Sequence, residues 1–355
     1  MKIGILTFHW GTNYGGVLQA YSLQENLLQL GYDAQIINYA PKTFRDSVFL
    51  CFDRHSLQKT LNNLESLAKE RKFKNFRNKN LRLTERIYDL ISLEQNIKSF
   101  DIVFVGSDQV WNPYIAKSYS KAYFLPFPMI NKKKIAYAVS LGCNEYPSEI
   151  SRIIKPWIRN FDYISVREKT AIKIIGNIID NEKKIYQMPD PALLLSPLEI
   201  EQITKSFVNR FVDKKYILFY ILQDNQIEIN KCLLDLKKKT TVVKCKKGIN
   251  SMSIEEWLLA IKGAETVYTN SFHGVVFSLL FHKPFYVFPV EGFFEGMNDR
   301  IYTLLSEFNL TNRILNKWDG ISEVYAKQLI DWKSIDTKIA AIRSYGINFI
   351  KQCIL

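Results

Sequence analysis

The sequence predicts an α/β protein of two open, parallel-stranded domains followed by a C-terminal helix, and three observations lead there. Apolar runs of strand length alternate with stretches of helical spacing along most of the chain. Polar and glycine-rich turns follow those runs at their carboxyl ends. A stiff Pro189-Asp190-Pro191 element interrupts the alternation, which then restarts. With 355 residues, 47% of them hydrophobic, the chain can bury two cores. The division expected is 1–188 for the first domain and 189–355 for the second with its terminal helix.

KIGILTF, residues 2–8, reads as a buried strand, and the turn after it holds His9, Gly11, Asn13, Tyr14, Gly15 and Gly16. Helical spacing through Val17, Leu18, Tyr21 and Leu28 stops at Gly31, and DAQIINY forms the next strand. In such a βαβ opening the turn lies where parallel sheets present ligand loops. Asn13, Tyr14, Gly15 and Gly16 are therefore candidate binding residues. They form either a backbone cradle for a phosphate or carboxylate, or a tight turn that needs glycine for steric reasons. The turn lacks the G-x-G-x-x-G spacing, so no nicotinamide cofactor is indicated.

Residues 40 to 98 are charged and helical in character. Leu57, Leu61, Leu64 and Leu67 keep a helical period before a basic segment in which Phe73 and Phe76 interleave with Lys and Arg. Aromatics three apart share a face, which predicts an amphipathic cover helix rather than an RNA-binding stretch. DIVFVGSDQVWN, residues 101–112, is an apolar strand broken at Gly106, so Ser107, Asp108, Gln109, Trp111 and Asn112 stand at its carboxyl end. Asp108 is a candidate general acid, a hydroxyl-binding group or a turn cap. Trp10, Tyr14 and Trp111 suit stacking on a sugar ring or packing in a core. The strand at 133–142 precedes a short helix and then ISVREKTA, where Arg167 and Glu168 follow a strand end directly. The guanidinium fork of Arg167 fits a carboxylate or phosphate, or an ion pair with a neighbouring acid.

After Pro191 come strands at 215–221, 240–244, 265–270 and 284–290 with helices between them. In YTNSFHGVVFSLLFHKPFYVF, Ser271 is a plausible N-cap beside Asn270, Phe272, His273 and Gly274. His273 falls in the first helical turn, near unbonded N–H groups and the positive end of the helix dipole, a place that attracts anions. His282, at the far end of that helix, reads as structural, and His9 as undecided. The tail from about Ser322 reads as helical and basic.

Five scattered cysteines (Cys51, Cys143, Cys232, Cys245 and Cys353) without a C-x-x-C pair support neither a disulfide framework nor a zinc site, and no metal is expected. The net charge of +13 fits a Lys-rich surface or an anionic partner, and no nucleic-acid module accompanies it. No signal peptide or transmembrane run is visible, so a cytoplasmic location is expected, with peripheral association at an anionic membrane face as a further reading.

GTNYGGVLQAYSLQ, VGSDQVWNP, ISVREKTA, PDPALLL and TNSFHGVVFSLLFHKPF, in this order over nearly the whole chain, closely resemble the polysaccharide pyruvyl transferase family. The resemblance implies a GT-B-like fold of two Rossmann-type domains facing across a cleft. It implies transfer of the pyruvyl group of phosphoenolpyruvate to two hydroxyls of a sugar, as a cyclic ketal in surface-polysaccharide biosynthesis, with no cofactor beyond that donor. The implied partners are phosphoenolpyruvate and a glycan or lipid-linked sugar acceptor. It associates His273 and Arg167 with the donor, and Asp108, Glu168, Asp190 and Glu295 are candidates for the acid that protonates the methylene carbon. Where the family can carry Arg-x-His, this chain has Ser271-Phe272-His273. Either Lys283, Arg300 or a loop lysine supplies the missing charge, or the donor differs. The competing functions are a nucleotide-sugar glycosyltransferase on the same fold and a noncatalytic carbohydrate-binding subunit.

Overall fold

A computed structural model of the protein describes residues 1–40, 57–115, 117–208, 211, 214–222, 226–245, 251–320 and 329–355. The chain divides into two compact units. The first is Met1–Leu194 together with Ile342–Leu355, and the second is Leu195–Ala341. Cys51 and the start of the expected tail, 321–328, lie outside the described residues; the other four cysteines are free thiols.

In the first unit, β1 (Lys2–Leu6), α1 (Tyr14–Gln29) and β2 (Asp33–Ile36) form the predicted βαβ opening. The long cover helix α2 (Leu57–Asn80) and the short α3 (Leu90–Ile97) lead to β3 (Ile102–Val105). β4 (Lys133–Val139), α4 (Ser148–Arg159), β5 (Tyr163–Val166), α5 (Lys169–Ile178) and β6 (Ile185–Gln187) complete the winding. All six strands are parallel, in the order β2-β1-β3-β4-β5-β6. The chain reverses its winding direction between β1 and β3, and open α/β sheets bind ligands beside the carboxyl ends of such a strand pair. The three-residue edge strand β6 was not expected from the sequence, because its half-buried side chains carry no strong apolar signal.

α1 is buried on nearly every face, so its polar residues must be bonded within the protein. Gln24 donates to the Asn80 carbonyl and accepts from the Arg82 N–H. Ser22 donates to the Pro191 carbonyl. Phe73 and Phe76 of α2 point inward as their spacing requires, Phe73 5.0 Å from the Tyr14 ring and Phe76 6.2 Å from that of Tyr21. Val103, Val105, Val139, Ile164 and Val166 of the sheet share one core with Ile154 and Ile158 of α4 and Ala171 and Ile175 of α5.

The second unit begins with α6 (Pro197–Thr204), closed by a capping box between Ser196 and Glu199. β7 (Ile217–Tyr220), α7 (Ile227–Lys239), β8 (Val242–Lys244), α8 (Ile254–Gly263), β9 (Thr266–Thr269), α9 (Phe272–Leu280) and β10 (Phe285–Val287) follow. They give a parallel sheet of order β10-β9-β7-β8, whose winding reverses between β7 and β9. Trp257 of α8 is fully buried with its ring 5.3 Å from both Tyr220 and Phe277, tying helices to sheet. α10 (Asp299–Phe308) and the start of α11 (Trp332–Ile354) complete the unit.

The division differs from the expected one in two respects. Pro189–Leu194 belongs to the first unit, because Asp190 is ion-paired there with Arg167 and Pro191 receives the Ser22 hydroxyl. The end of α11, expected with the second domain, also packs on the first unit. Phe349 lies 5.0 Å from the Tyr186 ring, Arg343 donates to the Leu194 carbonyl, and Lys133 donates to the carbonyls of Cys353 and Ile354. Gly346 allows this approach, since a Cβ there would lie 2.9 Å from Leu194, 3.0 Å from Pro189 and 3.0 Å from the Tyr137 hydroxyl. Gly346→Ala should therefore lower stability by about 1–3 kcal/mol through overpacking, read as a reduced Tm.

Candidate functional site

The carboxyl ends of β1, β3 and β5 carry a continuous buried polar network in the first unit. The Thr7 hydroxyl donates to the Ser107 carbonyl, and the Gln19 amide donates to Thr7 Oγ1 and the Gly16 carbonyl. Gln19 Oε1 accepts from the Ser107 N–H. Ser107 Oγ donates to the Ala138 carbonyl at 2.8 Å and accepts from Arg167 Nη2 at 2.7 Å. The same Nη2 lies 2.9 Å from Asp190 Oδ2, with both side chains almost wholly buried. Asp190 Oδ1 accepts from the Ala192 N–H at 2.8 Å. Arg167 thus forms the ion pair that was one of its two readings. The acid is Asp190, whose Oδ2 is held by Arg167 and the Ser107 hydroxyl and whose Oδ1 by the Ala192 N–H.

Asp108 has a left-handed backbone, φ 68°, and its carboxylate is buried. Oδ1 accepts from the Gln109 N–H, and Oδ2 lies 3.1 Å from where a Cβ on Gly16 would be. Gly16 is required for that approach. The glycine turn is not an open phosphate cradle: Asn13 caps α1, and its Oδ1 accepts the N–H groups of both Gly15 and Gly16. The positive end of α1 is capped by Asn13 and approached by Asp108.

Glu168 follows Arg167 with its carboxylate 1% exposed as a residue. Oε1 accepts from the Ser140 hydroxyl at 3.1 Å, the Leu141 N–H at 2.7 Å and the Gly142 N–H at 3.1 Å, while Oε2 is buried with no hydrogen-bond partner among the described residues. Gln109 Oε1 accepts from the Asn112 amide, and Asn112 Oδ1 accepts the N–H groups of Tyr114 and Ile115, so Asn112 organises its own turn.

Two of the aromatics considered for sugar stacking are core residues. Trp111 is fully buried, donates to the Tyr123 carbonyl and stacks 5.1 Å from Phe124, and Tyr14 is buried against Phe73. Trp10 is only half-buried. His9 is also internal: Nδ1–H donates to the Thr7 carbonyl and Nε2 lies 3.1 Å from the Asn38 side chain.

In the second unit the carboxyl end of β9 runs into α9. Thr269 Oγ1 donates to the Tyr220 carbonyl and accepts from the Ser271 N–H. Asn270 Oδ1 accepts from the Leu222 N–H at 2.7 Å, joining the ends of β7 and β9 at the reversal point. Ser271 is the N-cap, its hydroxyl accepting from the Gly274 N–H. Gly274 is needed because a Cβ would sit 2.5 Å from Thr269 Oγ1. His273 lies in the first turn, 5% exposed, its ring edge-on to Phe272 at 5.2 Å.

The buried guanidinium of Arg300, in the first turn of α10, lies 5.8 Å from the Phe272 ring centre and is steadied by a bond from Nε to the Met297 carbonyl. Lys283 follows the other end of α9, and a nine-residue helix is ~13 Å long, so it cannot replace an arginine at position 271. Of the two named side chains that could carry the charge absent at Ser271, Arg300 is the one beside the helix start. His282 is structural as expected, stacked 5.1 Å from Trp332 with Nε2 2.7 Å from Asp336. Glu295 is exposed. Among the described residues no group of three or more His, Cys, Asp or Glu side chains is arranged to hold a metal ion, and no helix is long and apolar enough to cross a membrane.

Gln19 was missed in the sequence. A glutamine in an otherwise apolar helical period is a buried-network signal that could have found it. Arg300 appeared only as an alternative, since its partner Phe272 lies far away in sequence.

The sequence profile described as polysaccharide pyruvyl transferase matches residues 13–292. No curated protein sequence matches the chain. Among solved structures, the chain is similar to UDP-GlcNAc 2-epimerase from Methanocaldococcus jannaschii, with 12% identity, TM-score 0.51, and coverage of 97% of this chain and 93% of that one. It is similar to MnaA of S. aureus solved with UDP, at 14% identity and TM-score 0.52 over 96% and 90% of the two chains. Arabidopsis thaliana UGT89C1, complexed with UDP-L-rhamnose, gives 9% identity and TM-score 0.50 over 100% and 99%. At these identities the likeness establishes the fold alone, which is GT-B-like.

Burial lowers the His9 imidazole to about 4, outweighing the contacts with Asn38 and Thr7 that favour its charge. The unfolded chain protonates near the ordinary value of 6.5, so the unfolded state binds more protons between about 4 and 6.5. Stability should be full above 6.5 and fall by on the order of 3 kcal/mol as pH drops through that window. His9→Gln should flatten that limb in urea titrations run across it. Asp190→Ala leaves the Arg167 guanidinium buried and uncompensated, and should cost about 3–5 kcal/mol in the same assay.

Proposed function

We propose, from the premise that the chain belongs to the polysaccharide pyruvyl transferase family, that it transfers the pyruvyl group of phosphoenolpyruvate to two hydroxyls of a glycan or lipid-linked sugar, forming a cyclic ketal. The observation that carries the reading is the start of α9. His273, the cap Ser271 and the Arg300 guanidinium gather around a helix start with first-turn N–H groups, at the reversal point of a parallel sheet. A donor with a phosphate and a carboxylate needs such a concentration of positive potential.

In this reading Arg300 binds an anionic group of the donor, and His273 either holds the phosphate or protonates the methylene carbon. Protonation leaves a cationic carbon that the first sugar hydroxyl attacks. Phosphate departs, and the second hydroxyl closes the ring. Within the first unit, Asp108 and Glu168 at the carboxyl edge of the sheet are carboxylates of the kind that accept from hydroxyls. Glu168 is the more firmly held of the two, because three donors fix Oε1. Arg167, held by Asp190 and Ser107, fixes that edge.

A second reading, a nucleotide-sugar enzyme, is favoured by the UDP-binding proteins that share the fold. The two readings separate in a thermal-shift titration, where phosphoenolpyruvate should raise Tm and UDP should not. Phosphate release from phosphoenolpyruvate should require a glycan acceptor. His273→Ala should slow it ~10²–10⁴-fold, and Arg300→Ala should mainly raise the KM for the donor. Protection by UDP alone would move the assignment to the second reading.

A further inference from the structure

The basic helix α2 has two unlike faces. Phe73, Phe76 and Arg77 are buried, whereas Arg71, Lys74, Asn75 and Asn78, at positions three and four apart on the opposite side, are exposed. Glu70 is half-buried and paired with Arg77, so its charge is shared between that partner, Lys74 and Arg86. Exposed Lys79 at the end of the helix and Arg82 and Arg86 after it add to the local positive charge, with Glu85 the one exposed acid between residues 71 and 86. The helix also lies directly on the start of α1: Arg77 Nη1 donates to the Gly11 carbonyl, and Phe73 packs on Tyr14.

We propose that the outward face of α2, with Arg71 and Lys74 at its centre, docks the protein on an anionic lipid surface. Charge complementarity selects this occupant. The aromatics interleaved with the cations are turned into the core, so the face offers no stacking platform of the kind that single-stranded RNA requires. A fluid anionic headgroup layer needs only a concentration of Lys and Arg. Docking there holds the start of α1 one helix diameter, roughly 10 Å, from the lipid. The benefit of that placement rests on the transferase reading with a lipid-linked acceptor; the docking itself does not.

The experiment is co-sedimentation of the full chain with vesicles of phosphatidylcholine, with and without phosphatidylglycerol. Binding is expected only to the anionic vesicles and should weaken as salt is raised. The double variant Arg71→Glu, Lys74→Glu should lower the partition coefficient on the order of 25-fold or more. Its Tm and its turnover of a soluble acceptor should be unchanged. Lys237→Glu with Lys239→Glu on α7, an equal change of net charge on exposed residues of the other unit, should lower partitioning far less. Equal losses in the two double variants, or no binding to anionic vesicles, would overturn the proposal. So would capture of single-stranded RNA by this face in the absence of vesicle binding. Vesicle binding without any phosphoenolpyruvate turnover would leave the docking face standing and remove the transferase reading.

Discussion

The buried ion pair between Arg167 and Asp190 is the constraint on which the first unit's functional edge depends. Arg167 extends from the end of β5, and Asp190 lies in the turn after β6. Ser107 at the end of β3 accepts from the same guanidinium nitrogen, and Gln19 carries the network on to α1 and β1. Charges removed from water to this degree are tolerated only when paired and hydrogen-bonded. Several strand ends and one helix are thereby locked to each other through bonds that have one satisfactory arrangement. The pair adds little net stability over an apolar packing of the same shape; what it contributes is a single geometry for the loops at the reversal point.

The two units treat their helix starts differently. At α1 the Asn13 cap takes two N–H groups and the Asp108 carboxylate lies close by, so the protein itself meets the demand for negative charge. At α9 the cap is a serine with one long bond of 3.4 Å, and the neighbouring charged side chain is a guanidinium. The first start is met by the protein's own cap and carboxylate, whereas the second has a guanidinium beside it.

Much of this was legible in the sequence. The alternation of strands and helices, the Ser271 cap, the inward aromatics of α2 and the structural role of His282 all follow from local periodicity and capping chemistry. What was not legible depends on contacts between distant residues. Trp111 stands in a polar, motif-like stretch, yet Tyr123 and Phe124 enclose it. The Asn13 to Gly16 turn reads equally well as a backbone cradle or as a tight turn that needs glycine until the Asn13 side chain is seen occupying the Gly15 and Gly16 N–H groups. Pro189-Asp190-Pro191 has the stiffness of a linker, and only the position of Arg167 reveals that it is a wall of the first unit. Ser271 stands where the family can carry an arginine, and the guanidinium beside the helix start, Arg300, comes from a helix further along the chain.

Residues 342–355 belong to the first unit although the whole second unit is encoded before them. Vectorial synthesis therefore cannot finish the first unit when its own 194 residues have emerged. The surface around Tyr137, Tyr163 and Tyr186 that receives Phe349 stays uncovered until the end of α11 leaves the ribosome, roughly 10 to 30 s later at ordinary elongation rates. The second unit, continuous in sequence, has no such wait. The aromatic face of Tyr137, Tyr163 and Tyr186 is therefore the part of the first unit that is covered last.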